Sequence, residues 1–281
     1  MQKNKMTILN KFKSNLARPE SDYLDTYHLK NIESNLFDKP YEKIDKRANA
    51  LRSSAAMIYN TIGPRRIIIG DKEYSHIEYE REFPALNKAD KTDHDHDAHL
   101  DVSLEAADKS ELFLIEAKCL EWLEEPKSMS IAYLSERCYL EETGRNTVPF
   151  IKSFRNLKAN PEKYDPKDSS RLLPSYNKYD AVQMNIHILG IYNYCARGKG
   201  NLPKKIKLMN LVWDYDSADE YRTEEKEGLE YVAFANLYFR SMFKALDVDF
   251  SVEYVRYSDF LKQVDWSNDP ARREYLKRYE I

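Results

Sequence analysis

Three side chains in this chain have the types and spacing to do chemistry: Asp101, Glu116 and Lys118. Asp101 lies in His99-Leu100-Asp101-Val102-Ser103-Leu104. The other two lie in Leu112-Phe113-Leu114-Ile115-Glu116-Ala117-Lys118-Cys119. Both stretches read as β-strands, joined by a turn over 105–110. Side chains alternate faces along a strand, so Glu116 and Lys118 project from the same face. If the two strands form an antiparallel hairpin, Asp101 comes within cross-strand reach of that pair. The residues between are apolar, which predicts at least one buried face, and charges rarely go inside without partners. Two carboxylates and a lysine suit phosphodiester hydrolysis. A hard divalent cation held by carboxylates polarises phosphoryl oxygens and makes a bound water more acidic, and a lysine positions the water or offsets developing negative charge. The carbonyl of Ala117, between Glu116 and Lys118, can add an oxygen ligand. The plain alternative is a surface hairpin with an incidental Glu116–Lys118 pair.

The elements around this stretch must hold it in place. From Tyr41 to Ile62, apolar residues recur every three or four positions (Ile44, Ala48, Leu51, Ala55, Ile58, Ile62), the stripe of an amphipathic helix, and Gly63-Pro64 ends it. Ile67–Ile69 and the strictly alternating 77–83 predict strands. Glu78, Glu80 and Glu82 share a face of the second. That is ordinary for a solvated strand, but Glu80 or Glu82 is a candidate additional metal ligand beside Asp101. A helix is expected over Ser128–Thr143, and a long irregular insertion near 155–180 where Pro161, Pro166 and Pro174 fall among polar residues. Tyr179–Tyr194 reads as a strong helix that puts Gln183 and His187 on one face at i, i+4. A lone helical histidine is usually structural. A basic loop over 196–205 leads into strand 206–213. A largely buried helix over 224–246, a strand over 250–255 and two short helices follow. Helix, loop and strand in that order suggest a crossover onto an existing sheet.

Composition excludes several classes. At 281 residues the chain suits an N-terminal extension over 1–40 and a single domain over 41–281. Its net charge of −3 excludes a generally basic nucleic-acid binder, so phosphate contacts must come from local patches. Arg197, Lys199, Lys204 and Lys205 form one candidate patch. Residues 1–18, with five Lys or Arg and no acid, are a second candidate or a plain tail. The start has positive charge but no apolar run behind it, and no stretch approaches a membrane span. Three widely spaced cysteines argue for reduced thiols and a cytoplasmic protein. The run Asp93-His94-Asp95-His96-Asp97 offers metal-ligand residue types without an EF-hand order or a helical His pair, and reads first as a solvated loop.

Asp101…Glu116-Ala117-Lys118 resembles the PD-(D/E)xK phosphodiesterase superfamily, which includes many restriction endonucleases. The order of expected elements is similar too: helix, three-stranded meander, helix, strand. Ser53-Ser54-Ala55-Ala56…Asn60…Gly63, Gln183…His187-Ile188-Leu189-Gly190 and Tyr275-Leu276…Arg278-Tyr279 resemble a bacterial group of restriction endonucleases over roughly 45–281. Two positions depart from the pattern: Leu100 stands where a proline usually precedes the aspartate, and Ala55 where the group tends to have Gln. The resemblance implies an α/β fold, a restriction-endonuclease-like core with a mixed β-sheet flanked by helices. It implies Mg²⁺ (or Mn²⁺) on Asp101 and Glu116, Lys118 as catalytic and Gln183 as accessory. The implied partner is nucleic acid, in the first place double-stranded DNA, and a homodimer is compatible with it. Two rivals stay open. One is a catalytically inactive nucleic-acid-binding member of the same fold; the other is a metal-binding protein built on loop 93–97.

Overall fold

The structure is a computed structural model that describes residues 54–63, 66–87, 97–119, 121, 127–157, 163–165, 167–174, 176–198 and 202–279. The N-terminal extension over 1–40, helix positions 41–53, loop positions 93–96 and Lys199 lie outside the described residues. The fold is α/β, with a mixed, curled six-stranded sheet flanked by helices. Helix α1 (Ser54–Ile62) precedes strands β1 (Ile67–Ile69), β2 (Lys72–Phe83), β3 (Ala98–Ala106) and β4 (Glu111–Lys118). These four strands pair antiparallel in chain order. Beyond β4 the sheet turns parallel: β8 (Lys205–Val212) lies beside β4 and β9 (Asp249–Arg256) beside β8. Parallel neighbours need crossovers, and two long helices supply them: α3 (Ala181–Arg197) and α4 (Asp219–Lys244).

A sheet buried on both faces explains the near-continuous apolar runs of β4 and β8. One core cluster joins Leu112, Leu114 and Leu208 to α3 and α4 residues such as Leu189 and Phe239. The other joins Phe113, Ile115 and Met209 to Met57 and Ile58 of α1, and to Tyr257 and Phe260 of helix α5 (Tyr257–Gln263). Helix α3 sits close against the sheet because of Gly190. A Cβ there would lie 2.9 Å from Phe83 Cβ, Phe83 O and Ala98 Cβ. At its start, the Asp180 carboxylate accepts from the Gln183 amide at 2.9 Å, an N-cap that fixes where the first turn begins.

Three expectations change. The helix expected over 128–143 is instead strand β5 (Met129–Ser130) and a chain of short 3₁₀ turns. Ser130 Oγ caps the first turn through the Ala132 amide, Ser135 adopts an extended backbone between turns, and Gly144 takes a positive φ. A regular helix, α2 (Thr147–Asn156), begins only after these breaks. The excursion near 155–180 is not wholly irregular. It contributes β6 (Tyr164–Asp165) and β7 (Asp168–Leu172), and with β5 they make a three-stranded sheet. Helix α4 is not buried all round, since Leu237 is 86% exposed and Leu229 53%. No helix among the described residues is long and apolar enough to cross a membrane.

Candidate active site

Asp101 lies near the middle of β3 and Glu116 near the end of β4. The β3–β4 ladder runs to Val102 opposite Ile115, so the next step would set Asp101 opposite Glu116. There the ladder stops, because Asp101 Oδ2 accepts the Ala117 amide at 2.6 Å. An extended residue points its amide and carbonyl to the same side. The Ala117 carbonyl therefore faces the β3 side, next to Asp101, where the two strands have parted.

Side-chain alternation slips at this same level on two strands. On β3, Val102 and Leu104 join one core cluster while Ala98 and Leu100 join the other. On β2, Ile77 and Tyr79 pack with the first, but Phe83 belongs to the second and Arg81 turns over the rings of Phe83 and Tyr194. The pivots are Asp101 and Glu80, and Glu80 holds a φ of 52°. A left-handed, non-glycine residue inside a strand is strained, and such strain gathers at functional sites.

Glu116 is 4% exposed and surrounded by donors. Lys118 Nζ and Gln183 Nε2 each donate to its Oε1 at 2.7 Å. Lys118 also donates to Gln183 Oε1 at 2.7 Å, so the three side chains close a ring. The buried His187 ring places Nε2 3.2 Å from Glu116 Oε2, without the alignment of a hydrogen bond. Behind the strand, Asn210 of β8 donates to the Glu116 carbonyl at 3.1 Å and pins the backbone.

Charge follows from this geometry. Burial pushes the Glu116 carboxyl up, but the Lys118 ammonium and the His187 imidazole outweigh it and hold it down at about 2. Burial also works against the charge of Lys118, yet Glu116, with Glu121, Asp180 and Asp101 behind it, raises this amine above its ordinary range. Asp101 goes the other way. Burial first, then the Glu116 charge, pushes its carboxyl above the usual range, against Lys118 and the Ala117 amide.

The structure thus brings together Asp101, Glu116, Lys118 and Gln183, with the Ala117 carbonyl on the same side. Glu80 stands across from Asp101 and its charge raises that carboxyl further, whereas Glu82 lies 3.6 Å from His99 Nδ1. The basic candidates are not brought to the cluster. Lys205 opens β8 seven residues before Val212, the partner of Lys118, a separation of about 23 Å along the strand. It pairs with Glu111, Lys204 with Asp247, and Arg197 with Glu142 near the far end of α3. Two residues that sequence reasoning did not place in the site belong beside it. His187 was signalled only by its i, i+4 spacing from Gln183. Asp180 carried no signal, since the expected helix over 179–194 enclosed it, whereas the helix begins at Ala181 with Asp180 as its cap. No protein-family model, curated protein or solved structure matches the chain.

Can this set hold a metal ion? Among the described residues there is no group of three or more His, Cys, Asp or Glu side chains that could do so. Mg²⁺ does not need one, since it is commonly bound by one or two carboxylates while keeping waters and substrate oxygens. Two carboxylates beside one opening between strands, one of them resisting ionisation first through burial and then through the charge of the other, suit a divalent cation.

Proposed function

We propose that the protein is a metal-dependent nuclease that hydrolyses phosphodiester bonds, with DNA as substrate and a restriction-endonuclease-like core. The observation that carries this reading is the closed ring of Glu116, Lys118 and Gln183 beside Asp101, where the β3–β4 ladder opens. A core sheet gains nothing from burying such a set, because desolvating paired charges roughly cancels their attraction.

Asp101, Glu116 and the Ala117 carbonyl would hold Mg²⁺, or Mn²⁺ in its place. When bound, such an ion polarises phosphoryl oxygens and lowers the pKa of water. The chain's own residues do the rest. Lys118, held charged by Glu116, stabilises the negative charge that builds on the phosphoryl oxygens as water oxygen bonds to phosphorus and the bond to the leaving oxygen breaks. Gln183 binds Lys118 and Glu116 at once, so it fixes their separation without touching the phosphate. Asn210 fixes the strand beneath them. The three cysteines are free and buried, which supports the cytoplasmic placement that goes with this reading.

The test is cleavage of linear and circular DNA by the purified protein with Mg²⁺ or Mn²⁺. Cleavage that Asp101→Asn and Lys118→Ala abolish is the expected result. Equal cleavage by wild type and both variants overturns the assignment of the site. Nucleic-acid binding without turnover in either metal overturns the nuclease in favour of an inactive binding member of the fold.

A further inference from the structure

An open cavity of about 270 Å³ adjoins the Glu116–Lys118–Gln183 ring on the α3 side. Gln183 and His187 form the wall it shares with that ring. The opposite side comes from the start of the three-stranded sheet, at Ser128, Met129 and Ser130, with Arg171 of β7 beside them. Neither the stretch 127–133 nor β7 is needed to build the six-stranded sheet, yet both line this cavity.

Three features say what the cavity takes. The first is an unmet polar group. His187 is 2% exposed; its Nε2 faces Glu116 Oε2 at 3.2 Å, but its Nδ1 makes no hydrogen bond among the described residues. A buried ring nitrogen without a partner is costly, and a ligand group in the cavity would meet it. The second is shape and surface. Met129, Tyr133, Val182 and Ile186 supply apolar walls, and Tyr133 is held rigid by stacking on Phe154 with centroids 4.6 Å apart. The volume is at the small end for ligand sites, right for one ring system rather than an extended ligand. The third is charge balance. Lys127 and Arg171 line the cavity together with Asp97 and Asp180. Arg171 already donates from Nε to Ser128 Oγ at 2.7 Å and from its terminal nitrogen to the Ser128 carbonyl. Two cations against two carboxylates do not make a site for a phosphate dianion. They suit a neutral, flat group with donors and acceptors on its edge.

We infer that this cavity receives one nucleobase of the strand being cut, unpaired or turned out of the stack, so that the preferred substrate presents an unstacked base beside the scissile phosphate. The inference rests on the nuclease reading and adds the substrate class to it. Enzymes that act at a base take it into a snug pocket, with apolar contacts to its faces and hydrogen bonds to its edge. Here the pocket adjoins the phosphodiester site, so the base acts as a handle that positions the backbone.

The experiment compares wild type with Ile186→Trp, which fills the cavity, and Ile186→Ala, which widens it. The probes are a single-stranded DNA 20-mer, the same strand with abasic sites, and perfect and mismatched duplexes. In Mg²⁺, wild type cuts the base-bearing strand and the mismatched duplex at least tenfold faster than the perfect duplex. Ile186→Trp loses about tenfold on the base-bearing strand and little on the abasic one. Equal losses on both strands, or a perfect duplex cut fastest, overturn the inference. If wild type cuts nothing, the nuclease reading fails on its own. Fluorescence anisotropy in Ca²⁺ then decides the pocket: at least fivefold tighter binding of the base-bearing strand upholds it, and equal binding overturns it. Should Ile186→Trp fail to fold by circular dichroism, the wild-type preference and its loss in Ile186→Ala decide the matter in its place.

Discussion

Replacing Glu116 by Gln keeps a group that Gln183 can bind but removes the charge that holds Lys118 in place. On the proposed mechanism, Glu116→Gln and Lys118→Ala are each expected to lower DNA cleavage by about 10³-fold or more in single-turnover assays, since Lys118 meets the negative charge developing in the transition state and Glu116 holds that lysine and the metal ion. Lys118→Ala also leaves a buried carboxylate with one donor fewer, which costs roughly 1–3 kcal/mol in urea denaturation. Asp101→Asn differs, because an amide oxygen still accepts from the Ala117 amide. Its fold should persist while Mg²⁺ affinity by calorimetry falls, and an unchanged affinity would remove Asp101 from the metal site. Gln183 bonds to Lys118 and Glu116 and also lines the adjoining cavity, so Gln183→Ala should lower kcat by about tenfold through the first contact and raise KM through the second. At this scale the sequence was most legible. The alternation of β4 was enough to put Glu116 and Lys118 together. The spacing of Gln183 and His187 put both on one face of α3 but did not aim that face at Glu116, because the rotation of a helix about its axis is set by what it packs against.

Helix α3 is the element that turns a charged hairpin into a site, and two of its features can be tested. Gly190→Ala puts a Cβ 2.9 Å from the Phe83 carbonyl, part of the backbone and slow to yield. Overpacking of this kind costs typically about 1–3 kcal/mol, to be read from the denaturation midpoint. It should also lower cleavage by lifting Gln183 and His187 off the sheet. Helix α4 carries a buried carboxyl, Glu224, which accepts from the Tyr254 hydroxyl. Burial outweighs that bond and pushes the carboxyl up to about 8. The folded protein therefore keeps a proton there that the unfolded chain releases above its ordinary carboxylate range. Stability falls as pH rises from about 4.5 to about 8, by a few kcal/mol at the upper limit. Melting curves of Glu224→Gln should show a weaker fall over that window than wild type, and parallel curves would dismiss the buried carboxyl as its cause. Helices with strong apolar periodicity were legible to within a few residues. The stretch 128–146 was not, because Ser130, Ser135 and Gly144 break the helix through backbone geometry that apolar spacing does not register.

For the molecule as a whole, the basic candidates bear on reach rather than chemistry. Arg197 is 14 residues past Gln183 on α3, about 21 Å away, and Lys204 precedes the far end of β8. Under the proposed nuclease reading, side chains this distant can meet only substrate that extends well past the cut. Arg197→Ala with Lys204→Ala should weaken binding of a long duplex and reduce its salt slope by about two, yet leave a short strand of about six nucleotides unaffected. Equal losses for both lengths would bring these residues into the site after all. The sequence by itself determined the mixed α/β class, the meander followed by a helix and a returning strand, and the pairing of Glu116 with Lys118. The order of elements and the Glu116–Lys118 pairing follow from periodicities of 2 and 3.6 that act locally, and the mixed sheet and meander from the family resemblance. Only the tertiary structure decided that β3 parts from β4 at Asp101 and that Gln183 locks Glu116 to Lys118. It alone set His187 between that ring and a cavity lined by residues 127–133 and Arg171, and left the lysines at the other end of the sheet. Those outcomes depend on register, twist and the contact of elements far apart in the chain, and no local pattern of residues encodes them.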